Sequence, residues 1–295
     1  PMDIVLQKID SETQKKKPQG AASLEHAEFT VKFFEEQMDS NPEESGKTAE
    51  RMWVFQTDQE GKVKFTKEYL VSGDEFYYQM DGTTPCLPLG TVTVQETKAP
   101  EGYLINSEIF AQKITGDRKA ETVSCYQTAS IPEQVYRGDL EFVKVGDGEQ
   151  NRLANIPFTI TSKTTGESHI IVTDKNGYAS TSSDWVKHSQ NTNRGESSSD
   201  GIWFGSGPVD DNRGALPYDT YLLEEERCEA NEGMNLLKIE VTIYKDSVTV
   251  PLGTLTDDKI EIGTTALDQE TESHISKPDE KVTIVDTVEY EGLKK

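Results

Sequence analysis

Four charged residues stand where an apolar side chain is expected. Lys8 lies inside "LQKID" and Lys144 inside "EFVKV", while Glu96 ends "LPLGTVTVQE" and Glu225 ends "LPYDTYLLEE". In the first glutamate run, alternation puts Val92 and Val94 on one face and Glu96 continues it, so a carboxylate points where the valines point. In a dry interior desolvation disfavours both charges, lowering the pKa of a lysine and raising that of a glutamate. A neutral ε-amine is a nucleophile, and a protonated glutamic acid donates a hydrogen bond to a carbonyl and shuttles protons. Given an Asn or Asp side chain on a last strand, the amine attacks it and ammonia or water leaves. An isopeptide crosslink remains, made once and without a cofactor.

The elements that would carry these residues repeat along the chain. "LPLGTVTVQE" (87–96) lies without gaps over "LPYDTYLLEE" (216–225). "LQKID" matches "FVKVGD", each putting its lysine on an apolar strand. "HAEFTV" (Ala27, Phe29, Val31) matches "NIPFTI" (Ile156, Phe158, Ile160), and the turn "TDQEG" at Thr57 matches "TDKNG" at Thr173. Landmarks recurring in one order indicate internal duplication. Between them the pattern has period two, is rich in Val, Ile, Thr, Tyr and Phe, and is broken by Gly, Asn, Asp and Pro. "SLEHAEFTVKFFEEQM" imitates a helix, but its partner "NIPFTI" holds a proline and argues for strand. The reading is all-β, sandwich or barrel, with a first domain at 1–136 and a second at 137–259. The link "IPEQVYRGD" is short, so the two are expected end to end as a stiff rod.

Each unit carries an insertion, "EEQMDSNPEESGKTAER" in the first and a longer loop at 185–214 in the second. Trp185, Trp203 and Phe204 in the longer one either form a contact surface or pin the loop to its own sheet; pinning is the commoner behaviour.

The bulk numbers bound the partners. The chain has 295 residues, 34% of them hydrophobic, and a formal charge of −23; mean hydropathy is −0.65. Such a surface repels nucleic acid and anionic lipid, so neither is expected as a partner. No stretch approaches the roughly 20 apolar residues of a membrane span. Cys86, Cys125 and Cys228 are too few for a disulfide scaffold, although Cys86 and Cys125 lie within one domain and would be the pair to join.

The box "ETKAPEGYL" (Glu96 to Leu104), with "LQKID" upstream, resembles the B-type repeat domains of collagen adhesin and the Gram-positive pilins; "EERCEANEGM" resembles a variant of the same box. The resemblance covers about residues 1–259. It implies tandem transthyretin-like (inverse immunoglobulin-like) Greek-key β-sandwiches, autocatalytic Lys–Asn or Lys–Asp isopeptide bonds, and a role as stalk units of sortase-anchored surface proteins. By it Glu96 and Glu225 are the proton-handling acids, and Lys8 and Lys144 the amine donors. In "VTVPLGTLTDD" Leu255 and Asp257 share a face, so Asp257 is the expected acceptor for Lys144, with Asp258 as the fallback. The first domain departs from the pattern. Between Glu96 and Arg137 its only Asn or Asp residues are Asn106 and Asp117, neither evidently on a closing strand, and Gln127 stands where the family offers Asn. Lys8 is therefore either unlinked or linked to a partner the sequence does not identify.

From residue 260 the chain resembles the opening strands of the VaFE repeats, related to the ester-bond domains of Gram-positive adhesins. There a threonine on the first strand is esterified to a glutamine on the last; Thr264 or Thr265 would match the threonine and Asp286 an assisting acid. The glutamine strand is absent, so residues 260–295 are expected as a truncated domain without an internal ester, poorly packed or borrowed from a neighbouring sheet.

Other signals are discounted. "RGD" at Arg137 to Asp139 directly precedes a strand. "LPLGT" lacks the threonine of a sortase signal. His26, His169, His188 and His274 have no ligand spacing, and "DDNRG" lacks the alternation of a calcium loop, so no metal or cofactor is expected. The expected function is a structural stalk module, extracellular and cell-wall anchored, with the signal peptide and sortase motif outside these residues and neighbouring domains of the same protein as partners. It is not a turnover enzyme; intramolecular bond formation is its only chemistry. The alternative is a host-ligand-binding module using the 185–214 loop to recognise a matrix protein or glycan.

Overall fold

The computed structural model of the chain describes residues 5–116, 123–124, 126–146, 151–190, 201–257, 261–268 and 284–291. Among them the regular structure is strand, apart from two short 3₁₀ turns at Pro42–Ser45 and Glu229–Asn231. The stretch that imitates a helix is the strand Glu28–Phe34. Its period-two pattern settles the matter, since Phe29, Val31 and Phe33 are all buried on one face, a set a helix would scatter around its circumference.

Two cores follow one another along the chain. The first gathers residues from Val5 to Ile131. A six-stranded sheet of Val123–Ser124, Ile109–Gly116, Gly90–Lys98, Glu28–Phe34, Arg51–Gln56 and Leu70–Gly73 lies on one side. A three-stranded sheet, with Leu6–Asp10 central between Ala129–Glu133 and Lys62–Val63, lies on the other. The second core gathers residues from Leu140 to Leu255. It lies between a sheet of Ser168–Val172, Pro157–Ser162, Asp219–Glu225 and Lys238–Ile243 and a sheet built around Arg137–Val145. In each unit the last strand pairs in parallel with the first, Ala129–Glu133 with Leu6–Asp10 and Thr249–Thr256 with Arg137–Val145. Among the described residues this all-β architecture contains no closed barrel.

The duplication extends to single hydrogen bonds. Thr57 Oγ1 accepts from Ala27 N and donates to Leu24 O, as Thr173 Oγ1 accepts from Ile156 N and donates to Leu153 O. The turn glycines Gly61 and Gly177, at φ +71° and +68°, turn their carbonyls onto the backbone N–H of Lys8 and Lys144 at 2.8 and 2.7 Å. A Cβ on Gly177 would stand 2.5 Å from Lys144 O, so the left-handed turn and the close approach both require glycine there. The "TDxxG" turn thus fixes the height of each lysine.

Three residues, Gln134 to Tyr136, separate the closing strand of the first unit from the opening strand of the second. Around them Ala22, Leu24, Tyr103 and Val135 form a small third cluster against Tyr218. Gly102 of the "PEGYL" box, at φ +82°, lies where a Cβ would meet Ala22 and Tyr218 within 2.8 Å. The RGD tripeptide is internal: Arg137 is 1% and Asp139 9% exposed. At the far end, Glu261–Asp268 and Ile284–Glu291 form an antiparallel pair, with Thr264 opposite Val288, Thr265 opposite Thr287 and Ala266 opposite Asp286.

Candidate functional site

In the second unit, parallel pairing sets Lys144 opposite Leu255. Asp257, two residues further on, returns to the same face. On the facing sheet, Glu225 pairs with Phe158. Lys144, Glu225 and Asp257 are 0%, 4% and 1% exposed. Lys144 Nζ lies 2.7 Å from Asp257 Oδ2 and 3.8 Å from Glu225 Oε1, and donates to the carbonyl of Val145 at 2.9 Å. The contact with Asp257 is an ion pair, and among the described residues neither carboxylate oxygen of Asp257 has a hydrogen-bond partner. Glu225 is better supported: Asn231 Nδ2 donates to Oε1 at 2.9 Å and Leu237 N to Oε2 at 3.2 Å. Burial pushes the Glu225 carboxyl up to about 7, with Asp257 adding to the rise while Asn231 and Lys144 oppose it. An acid with that pKa holds or gives up a proton near neutrality, as proton transfer requires.

The first unit repeats the arrangement. Glu96 pairs with Phe29, and Lys8 Nζ stands over the Phe29 ring at 5.2 Å and 2.6 Å from Glu96 Oε1. Both side chains are fully buried. Burial lowers the Lys8 amine to about 8 against the pull of Glu96, and raises the Glu96 carboxyl against Lys8 and the Asn106 N–H. The third member is Glu133, whose Oε1 accepts from Lys8 Nζ and whose side chain is also fully buried. Each site therefore holds one potential cation and two carboxyls in a dry interior, an arrangement costly to keep ionised.

The residues named from sequence fall as follows. Lys144, Glu225 and Asp257 come together, as do Lys8 and Glu96. Asn106 serves Glu96: its N–H supports Glu96 Oε2 at 2.7 Å, and its amide donates to Pro132 O. Gln127 bonds Gln112 at the surface, away from Lys8. Asp117, Cys125 and Asp258 lie outside the described residues. Sequence reasoning missed Glu133, because only Asn, Asp and Gln were weighed as acceptors; alternation in "ASIPE" would have placed it with Ala129 and Ile131. It also missed Asn231, held in a 3₁₀ turn that has no strand period.

Asn231 is fully buried and donates to Glu225 Oε1 and Glu226 O while accepting from Cys228 N. Asn231→Ala is expected to cost about 1–3 kcal/mol, from unpaired buried groups, read as a lower denaturation midpoint in urea.

The long loop of the second unit is pinned. Ile202, Trp203 and Phe204 are buried; Trp203 lies 3.6 Å from the Arg137 guanidinium, and Phe204 packs edge-on against Tyr221 and His169. Trp185 is half-buried beside Tyr178 and donates to Asp174. Residues 191–200 of this loop lie outside the described residues.

Residues 3–128 match the SpaA family, a prealbumin-like fold domain, and residues 260–295 match the T-Q ester bond containing domain. Among solved structures the chain is similar to the Bacillus anthracis TIE protein, at 15% identity and a TM-score of 0.48, covering 99% of this chain and 46% of that one. It thus spans less than half the length of that chain. It is also similar to GBS52, the minor pilin of Streptococcus agalactiae, at 16% identity and a TM-score of 0.28, covering 82% of this chain and 87% of that one. The C-terminal fragment of the pilus adhesin SpaC from Lactobacillus rhamnosus GG gives 14% identity and a TM-score of 0.36, with 88% and 98% covered. No curated protein matches.

Proposed function

We propose that this chain, which carries a SpaA-type prealbumin-like domain and a T-Q ester bond segment, is a structural stalk module of a cell-wall-anchored Gram-positive surface protein. In this reading, residues 1–136 and 137–259 are two sandwich domains and 260–295 the opening of a third. The second domain is locked by an amide between Lys144 and Asp257. The observation that carries the reading is the buried triad, with the amine 2.7 Å from the acceptor carboxyl and the glutamate 3.8 Å away.

The chemistry balances without a cofactor. Lys144 gives a proton to Glu225, leaving a neutral amine and a protonated acid. The amine attacks Cγ of Asp257 while Glu225 hands its proton to the carboxyl oxygen. A Cγ–N bond forms and a C–O bond breaks. The oxygen leaves as water with a second proton from the nitrogen. One cation and one anion have become a neutral amide, which removes the cost of burying both. The interior gives the reaction proximity and desolvation, and it runs once per chain.

Mechanics follows from topology. The bond joins the first strand of the unit to the residue directly after its last strand, and the two strands pair in parallel, so tension along the chain passes through the amide and bypasses the sheets between. Trp203 and Phe204 are occupied within the fold, which favours the stalk over ligand capture by those rings.

Intact-mass measurement of the purified chain tests the proposal. The wild type should be lighter than its sequence mass by at least one water. Glu225→Ala, which keeps amine and acceptor but loses the proton carrier, should regain one. A full-mass wild type would refute the crosslink.

A further inference from the structure

Among the described residues the ion-pair partners of Lys8 are Glu96 and Glu133 rather than an Asn or Asp, yet its surroundings repeat those of Lys144. Parallel pairing sets Lys8 opposite Ile131, as it sets Lys144 opposite Leu255. Two residues beyond Ile131 comes Glu133, and two beyond Leu255 comes Asp257. The same register therefore returns a carboxyl to each lysine, and the two acids hold one structural position. We propose that Lys8 and Glu133 are joined by an amide between Lys8 Nζ and Glu133 Cδ, with Glu96 carrying the protons. The proposal rests on the crosslinking chemistry of the second unit and extends it to a glutamate acceptor.

Four observations support it. Glu133 Oε1 is in direct contact with Lys8 Nζ, and both side chains are fully buried. Among the described residues Glu133 Oε2 has no hydrogen-bond partner, so none of them holds the oxygen that would leave. Glu96 is anchored independently by the Asn106 N–H at 2.7 Å, which keeps it beside the amine as a carrier. Lys8 is set by the Gly61 carbonyl as Lys144 is by Gly177, so the nucleophile is equally fixed. With all three groups ionised, a dry pocket would hold a net negative charge beside Phe29 and Ile131. Condensation leaves a neutral amide and one protonatable acid.

The step balances as before: Nζ bonds to Cδ, the Cδ–O bond breaks, and water departs with one proton relayed by Glu96 and one from the nitrogen. The extra methylene of glutamate relative to aspartate lengthens the bridge but leaves the bond type unchanged. The link spans 125 residues and would join the first and last strands of its unit.

Tryptic mapping of the reduced full chain distinguishes this link from the other. Expected is one branched peptide joining residues 1–15 to 120–137, absent in Glu133→Ala and in Lys8→Arg. Glu133→Gln should give the same branched mass as the wild type, because ammonia leaves in place of water. The second unit should independently give a branched peptide joining 138–152 to 246–259. Finding that peptide while trypsin cuts after Lys8 and releases residues 1–8 and 9–15 free would overturn the Lys8–Glu133 link and leave the reading of the second unit standing. Finding neither would overturn both.

Discussion

Lys144→Met should lower the unfolding temperature of the second unit by roughly 20 °C. The proposed crosslink would close a loop of about 100 residues, and losing such a constraint on the unfolded chain costs about 5 kcal/mol; for a unit of this size each kcal/mol is worth about 4 °C. Met occupies much the same volume as the lysine stem, so the core stays filled and the lost bond dominates. The variant should also acquire a pH dependence. Its pocket holds two acids, Glu225 and Asp257, with no cation. Burial already pushes Glu225 up to about 7 with Lys144 present to oppose the rise. A group whose pKa is higher folded than unfolded stabilises fully below its unfolded value, and that contribution fades as pH rises through the folded one. Lys144→Met should therefore be most stable near pH 4 and weaken through pH 7 and above. Calorimetry at pH 5 and pH 8 reads both effects. An unfolding temperature within a few degrees of the wild type at pH 5 would show that no bond had been lost.

Arg137→Ala should cost about 3–5 kcal/mol by uncovering a buried ion pair, and should separate the unfolding of the two units. Arg137 is 1% exposed, and its guanidinium donates to Glu12 Oε1 at 2.7 Å, Glu12 Oε2 at 3.0 Å, Phe204 O at 2.7 Å and Ala215 O at 2.9 Å. Glu12 belongs to the first unit, the two carbonyls to the second, and Trp203 closes the stack at 3.6 Å. Lysine has a point charge in place of a planar fork and cannot meet these acceptors together, so Arg137→Lys should recover little. Burial pushes the Glu12 carboxyl up, but Arg137, with help from Gln134 and Gln19, brings it below its ordinary value. For a lowered carboxylate the stabilisation is full above the unfolded pKa and fades as pH falls through the folded one. The wild-type junction should therefore weaken below about pH 4, while Arg137→Ala should lose that acid-sensitive component. Two calorimetric transitions in the variant against one in the wild type is the expected reading; a single unchanged transition would remove Arg137 from the junction.

Much of the site was legible from local pattern. Lys8, Lys144, Glu96 and Glu225 sit at matched points of a duplicated, period-two sequence, and alternation alone assigns each to the inner face of its strand. Asp257 followed from Leu255 by the same rule. The turns "TDQEG" and "TDKNG" announced themselves because only a few residue types tolerate a positive φ. Trp203 and Phe204 left two readings open, since exposure of an aromatic in a loop depends on what the loop lies against.

What the chain determined by itself was therefore one-dimensional: which residues are strand, which face each takes, and that the plan occurs twice. For Lys8 and Arg137 the choice of partner was decided only in three dimensions. Glu133 meets Lys8 because two strands 125 residues apart pair in parallel at one register, and no spacing in sequence encodes that register. Arg137 sits in a tripeptide with a misleading likeness, and acquires its role from a glutamate, a tryptophan and two carbonyls brought together by folding. Periodicity specifies the direction of a side chain; contact depends on the path of the whole backbone, which is set by packing both cores at once.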